Sequence, residues 1–520
     1  MCNFGFILDI IIRALKRQSS SFIDNINTNL PTTPSGWALA ALGAASVGLQ
    51  YELHVQKELT SPPLVFCQTS SQNGSGGIDG GVLNDKMDRI YAKLSGKKHK
   101  QTHQSNNGNA NNDLPEEEEE GIFTRKVTPS LFIGTRGLMS STAAYALGSS
   151  DSGENKVKRV REIMTMGSDG ALIVLDWEAP ISSISDIDIK QPNSITKPII
   201  LLLHGMNNDS TFGYIRSMMK TATDRGWIAV CMNFRGQDGK YQVKNNTPRG
   251  YNAGYTGDLR GVVQQLEHRL KKKNDIEYSG GSIFILGYSL GANVITKYLG
   301  EESLHGTLPK CIGGGAAMGN PLYIHSGTIA FPWNMLLGAG VKRSLLQNYS
   351  SFKQHSDPGF QHAMKKAMLA PTIGKLDDAA APYLVRNDPF PPYTHRIGFD
   401  NGEHYWHDSS SHRYVAHVSV PLLKISAQDD FLVFGQFRKK LNYCLENPNV
   451  VVVKTKCGGH LGWQESPPKG STSSGSWSDV AVADFIEALL QVKEEDDCQN
   501  RRRMGNSREN NQSPKMLSKL

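Results

Sequence analysis

Short apolar runs recur through the middle of the chain, at residues 171–177, 199–203, 228–233, 283–286, 311–317, 422–426 and 450–454. Each is of strand length and almost continuously apolar, the pattern of strands buried on both faces rather than one. Several intervals between them, 213–225, 257–271 and 292–299, instead repeat their apolar positions at helical spacing. Strand and helix in alternation predict an α/β fold, a mostly parallel sheet with helices on both faces. Residues 321–413 break the alternation, being long, rich in aromatics, Met and Pro, and without an evident strand. They predict a helical insertion placed as a lid over a pocket, because so long a segment is rarely idle in a compact domain.

The flanks have another character. Phe4 to Ile12 is an apolar run followed by Arg13, Lys16 and Arg17, and residues 37–49 are rich in Ala and Gly. Both fall short of the roughly 20 residues a bilayer crossing needs. The first has the makings of an amphipathic helix at a membrane surface, with a flexible leader or targeting segment as the equal alternative. From residue 69 the composition turns to Ser, Gly, Asn, Lys and the run Glu116 to Glu120, too polar to offset chain entropy by burial. The expected organisation is a leader or membrane-anchoring segment over 1–60, a disordered low-complexity linker over 61–121, an α/β domain over 122–493 with its lid at 321–413, and a disordered tail over 494–520.

Hydrophobic residues make up 38% of the chain, enough for a substantial core, which must lie in the middle given the polar ends. The formal charge of +7 over 520 residues is small, and no Lys/Arg stripe interleaved with aromatics suggests nucleic acid. The seven cysteines are scattered and odd in number, with no Cys-x-x-Cys pair. That argues against a disulfide framework or zinc site and for a reducing compartment.

The run at 283–286 ends in Gly287-Tyr288-Ser289-Leu290-Gly291, and helical spacing resumes at 292. Strand, sharp turn and helix make Ser289 the candidate nucleophile. Side chains two positions before and after it would strike the neighbouring strand and helix, and the helix N-terminus favours developing negative charge. The five-residue motif alone is weak evidence in a chain so rich in Gly and Ser; its setting gives it weight. An acyl transfer needs two N–H groups aimed at the oxyanion. Leu290 offers one, and Met206, after the apolar run 199–203 and His204-Gly205, is the candidate for the other.

A serine nucleophile further needs a histidine held by a carboxylate, in the chain order serine, acid, histidine. Among the fifteen histidines, His460 stands out because Cys457-Gly458-Gly459 follows the late strand 450–454 and permits a loop that turns back. His395, His404, His407 and His412 lie in the expected lid and read as surface or packing residues. Asp429 and Asp430 both follow the strand 422–426; Asp430 is favoured as the acid, with Asp429 as a cap or turn residue.

These residues resemble the AB hydrolase superfamily, specifically its YheT-like branch, which also includes the embryogenesis-associated plant proteins. The resemblance spans about residues 125–490. It rests on Arg161-Glu162, Asp169-Gly170, Leu175-Asp176-Trp177, Leu203-His204-Gly205, Tyr214-Ile215-Arg216 and Gly226-Trp227. Asn233-Phe234-Arg235-Gly236, Gly254-Tyr255-Thr256-Gly257-Asp258-Leu259 and Gly458-Gly459-His460-Leu461-Gly462 continue it. It implies an α/β-hydrolase fold and hydrolysis of lipid-like esters such as medium-chain acyl esters, monoacylglycerols or phospholipids. Some members transfer acyl groups to alcohols, and many eukaryotic members are anchored by an N-terminal hydrophobic segment. Carried over by motif, the triad is Ser289, Asp430 and His460. The family usually has Asp-Asp-Pro where this chain has Asp429-Asp430-Phe431.

The expected activity is therefore carboxylic ester hydrolysis through an acyl-enzyme, without metal or organic cofactor, on a lipid or acyl-ester substrate. The expected location is membrane-associated, at the endoplasmic reticulum or plastid, with cytoplasmic as the alternative. Two rival readings remain: an alcohol acyltransferase on the same triad, superficially suited by the spacing of His395 and Asp400, and a catalytically silent hydrolase-fold scaffold.

Overall fold

The computed structural model describes residues 48–67, 80–96, 121–131, 133–146, 157–180, 192–237, 246–272, 282–433, 436–466 and 476–510. The chain divides into two compact units, residues 1–58 and 59–520. In the first, residues 48–58 are helical; the apolar run at 4–12 and most of that at 37–49 lie outside the described residues. Among the described residues, no helix is long and apolar enough to cross a membrane.

The second unit is built on a sheet. Its strands are β1 (Leu64–Phe66), β2 (Val157–Thr165), β3 (Leu172–Pro180), β4 (Ile199–Leu203), β5 (Ile228–Asn233), β6 (Ile283–Tyr288) and β7 (Ile312–Met318), then β10 (Leu422–Ala427) and β11 (Val450–Thr455) after two short lid strands, β8 (Val385–Asn387) and β9 (His395–Ile397). The nine-stranded order is β1-β11-β10-β7-β6-β4-β5-β3-β2. The six strands from β11 to β5 in that order run parallel, and β1, β3 and β2 add antiparallel edges. This is the mostly parallel sheet that the alternation predicts and the α/β-hydrolase fold that the resemblance implies.

Along the central strand β4 successive side chains join two different cores. Ile199, Leu201 and Leu203 of β4 belong to a core shared with Leu259, Val262 and Leu266 and with Val294, Ile295 and Tyr298. Ile200 and Leu202 belong to the opposite core, with Ile215, Met218 and Met219 and with Phe485, Ile486 and Leu489. Successive strand side chains point to opposite faces, so a strand covered on both sides must be apolar at every position. The covering helices are α1 (Gly80–Leu94), α2 (Gly137–Ala146), α3 (Gly213–Asp224), α4 (Gly257–Arg269) and α5 (Leu290–Leu304). The lid adds α6 (Trp333–Gln347), α7 (Tyr349–Phe352), α8 (Pro358–Leu369), α9 (Ile373–Ala380) and α10 (Gly402–Ser409), and α11 (Gln436–Leu445) and α12 (Trp477–Asn510) close the chain.

Three expectations are corrected. The stretch 61–121 is not linker throughout: β1 joins the sheet, and α1 buries Met87, Ile90 and Leu94 in the core. Helix α1 is also tied to α12 by Arg89 to Asp496 (2.7 Å) and Lys93 to Glu495 (2.8 Å). The tail expected from 494 remains helical to Asn510. The lid is mainly helical as expected, yet it contains the β8–β9 hairpin.

Candidate active site

Strands β4 and β6 are neighbours, with Leu203 opposite Gly287, and the chain leaves them toward opposite faces, into α3 and α5. A crevice opens at the carboxyl ends of parallel strands at such a reversal. Ser289 occupies it. Its backbone is forced to φ 53°, ψ −112° at the start of α5, a region that non-glycine residues adopt only under constraint. A side-chain carbon on Gly287 would come within 2.4 Å of Gly291 O, and one on Gly291 within 2.4 Å of Leu203 O. The glycine requirement inferred for the turn is therefore steric contact with α5 and β4.

Ser289 Oγ lies 2.7 Å from His460 Nε2. His460 Nδ1 lies 2.9 Å from Asp430 Oδ2, while Asp430 Oδ1 accepts from the N–H groups of Leu432 (2.9 Å) and Val433 (3.1 Å). His460 and Asp430 are buried at 1% and 5% exposure, so their contacts act in a medium that screens poorly. The His460 loop is itself held: Gly459 N–H donates to Asp429 Oδ1 (2.8 Å) and His460 N–H to Ser141 Oγ (2.9 Å). Asp429 thus serves the loop and Asp430 the imidazole, and burial pushes the Asp429 carboxyl upward. Ser141, on α2, carried no motif that could have found it.

The β4 loop abuts Ser289; a carbon added at Gly205 would sit 3.4 Å from Ser289 Cβ. Met206 and Leu290 line the same cavity, and among the described residues their N–H groups have no acceptor. His204 shapes this loop. Fully buried, it donates from Nδ1 to Gly205 O (2.8 Å) and accepts at Nε2 from Phe234 N–H (3.2 Å). Burial lowers its pKa from 6.5 to about 4, offset in part by the Gly205 carbonyl. Tyr214 completes the support, its hydroxyl oxygen accepting from Gly205 N–H (2.9 Å) and Asn208 Nδ2 (2.8 Å).

The cavity beside Met206 and Leu290 measures ≈ 70 Å³ and is walled by Tyr251, Arg235 and the lid residues Val341, Leu345, Phe352, Ile373 and Asp377. Asp377 accepts from Trp406 Nε1 (3.0 Å), and burial raises its carboxyl to about 7. Arg235 is buried and paired with Asp258 through two 2.6 Å contacts and with Asp169 at 2.6 Å. Three separate motif segments of the sequence therefore meet in one buried charge cluster. The lid is anchored to α5: Asn293 Nδ2 donates to Ser409 O (2.7 Å), Asn293 Oδ1 accepts from Ser411 N–H (3.0 Å), and Lys297 reaches Asp408 (3.4 Å). Phe431, where the family usually has Pro, packs against Trp333 at the start of α6, ring centres 4.8 Å apart.

His395 and Asp400 are not brought together. His395 meets Arg249 (2.8 Å), and Asp400 meets His404 (2.9 Å). His412 packs on Tyr323 and Tyr443.

The parallel sheet and the serine at the turn after β6 are arranged as in the α/β-hydrolase fold, and the chain is similar to several proteins named as lipases and esterases. It is 25% identical over 291 residues to a monoacylglycerol lipase of Saccharomyces cerevisiae, a match covering 54% of this chain and 58% of the relative. It is 28% identical over 342 residues to the embryogenesis-associated protein EMB8 of Picea glauca (64% and 67% covered). It is 28% identical over 327 residues to phospholipase ABHD3 of Mus musculus (62% and 70% covered). Among solved structures, the esterase Pf2001 of Pyrococcus furiosus is similar at TM-score 0.33 and 16% identity, covering 64% of this chain and 92% of that one. No protein-family model matches the chain.

Proposed function

We propose that the chain is a serine hydrolase that cleaves carboxylic esters of lipid-like substrates through an acyl-enzyme, with Ser289, Asp430 and His460 as its catalytic residues. The observation that carries this is the 2.7 Å contact between Ser289 Oγ and His460 Nε2. As Oγ bonds to the ester carbonyl carbon, His460 Nε2 takes the hydroxyl proton and Asp430 stabilises the imidazolium. The N–H groups of Met206 and Leu290 receive the oxyanion. Collapse breaks the bond to the alcohol oxygen, which leaves with the proton from His460. Water, deprotonated by the same nitrogen, then releases the acid.

Medium-chain acyl esters, monoacylglycerols and phospholipids are the substrate classes proposed. The names of the yeast and mouse relatives support the last two, and the largely apolar cavity wall suits an acyl chain. A cavity of ≈ 70 Å³ holds only a few waters, so a medium-length chain enters as the lid helices part. Attachment to a membrane surface through the N-terminal segment belongs to the same proposal. The test compares wild type with Ser289→Ala on medium-chain monoacylglycerol and lysophospholipid. Loss of release from both supports the reading, and unchanged turnover contradicts it.

A further inference from the structure

A second cavity, of ≈ 260 Å³, opens at the opposite edge of the sheet from Ser289. Its floor is the amino ends of the central strands: Ser282 precedes β6, Ile312 and Gly313 open β7, and Pro421 precedes β10. Three lysines face it, Lys86 from α1, Lys310 from the turn before β7 and Lys493 from α12, and no carboxylate lines it. Lys493 donates to Ser282 Oγ at 2.8 Å, which leaves the buried Ser282 hydroxyl free to donate in turn. Lys86 and Lys310 make no hydrogen bond or ion pair among the described residues. The neighbouring Asp496 is engaged by Arg89 at 2.7 Å.

Three ammonium groups brought together in a concavity that no carboxylate lines repel one another, and the arrangement is stabilised by an anion that they share. Lys86 feels this crowding: burial first, then Arg89 and Lys493, lower its pKa against the opposing pull of Asp496. Two of the three lysines stand on α1 and α12, which the Arg89 and Lys93 ion pairs hold together. Backbone composition alone assigns these segments no task; the cavity gives them one.

We propose that this cavity binds a phosphate group, carried by a free phosphomonoester or by the headgroup of an anionic lipid. The site stands apart from the serine chemistry and holds or fails independently of it. Inorganic phosphate titrated calorimetrically into the full chain should bind saturably. Lys310→Gln, an exposed change that spares folding, should weaken binding roughly tenfold, the loss of about one charge-assisted hydrogen bond. The triple change Lys86→Gln, Lys310→Gln and Lys493→Gln should abolish it. Flotation with phosphatidylcholine vesicles, with and without phosphatidic acid, separates the sources. Retention that requires phosphatidic acid and is lost in the triple variant assigns the headgroup; phosphate binding without such retention assigns the free phosphomonoester. Binding to neither probe, or equal binding by wild type and variants, overturns the proposal.

Discussion

Asp430 divides its oxygens, one on His460 Nδ1 and the other on two backbone N–H groups. Those backbone contacts keep it an acceptor toward the imidazole and fix which ring nitrogen carries the proton. Asp430→Asn should therefore leave the fold intact and lower kcat about 10⁴-fold, measured by steady-state kinetics beside a melting curve. His204 provides a second test at this scale. Its folded pKa lies near 4, below the ordinary 6.5, so the unfolded chain takes up the proton first. Its contribution to stability is complete above pH 6.5 and lost as pH falls toward 4. Denaturant unfolding of wild type against His204→Gln should reveal up to about 3 kcal/mol of relative loss across that window; a pH-independent difference would contradict the neutral, backbone-bound imidazole.

At the scale of elements, Arg235 joins the end of β5 to Asp258 on α4 and to Asp169 in the β2–β3 turn. Removing one partner leaves a buried guanidinium short of counter-charge, so Asp258→Asn should cost about 3–5 kcal/mol in urea unfolding. The seven apolar runs were legible because β3–β7, β10 and β11 are covered on both faces and so carry few polar residues, Asp176 and Lys424 among them. Strand β2 was not, since Arg159 and Arg161 alternate with its apolar residues and read as surface; they pair with Glu178 and Asp176 across β3. Helix α1 was hidden for a similar reason: Met87, Ile90 and Leu94 have helical spacing, but the polar sequence around them dominates any average. Ser289, Asp430 and His460 could be named because each sits just beyond a strand end. Ser141 could not, as its partner His460 is distant in sequence and the contact is fixed only by packing.

Across the whole molecule, the buried ionisable groups act in opposed directions. Asp479, which accepts from Ser217 Oγ at 2.5 Å, is raised by burial from 3.8 to about 7. The folded state then holds a proton that the unfolded chain has released, so this contribution is complete below about pH 4 and lost as pH rises through 7. Relative to Asp479→Asn, wild type should lose about 1.4 kcal/mol per pH unit over that range, read from unfolding midpoints at constant ionic strength. Asp377 shifts in the same direction under the lid, while His204 opposes both. The serine site carries the chemistry proposed for the whole chain. It is tested most directly by treating the full chain with a fluorophosphonate and mapping the adduct by mass spectrometry. One phosphonyl group on Ser289, absent in Ser289→Ala and slowed in His460→Ala, is the predicted result. An unmodified Ser289, or equal labelling of the three proteins, would contradict the account.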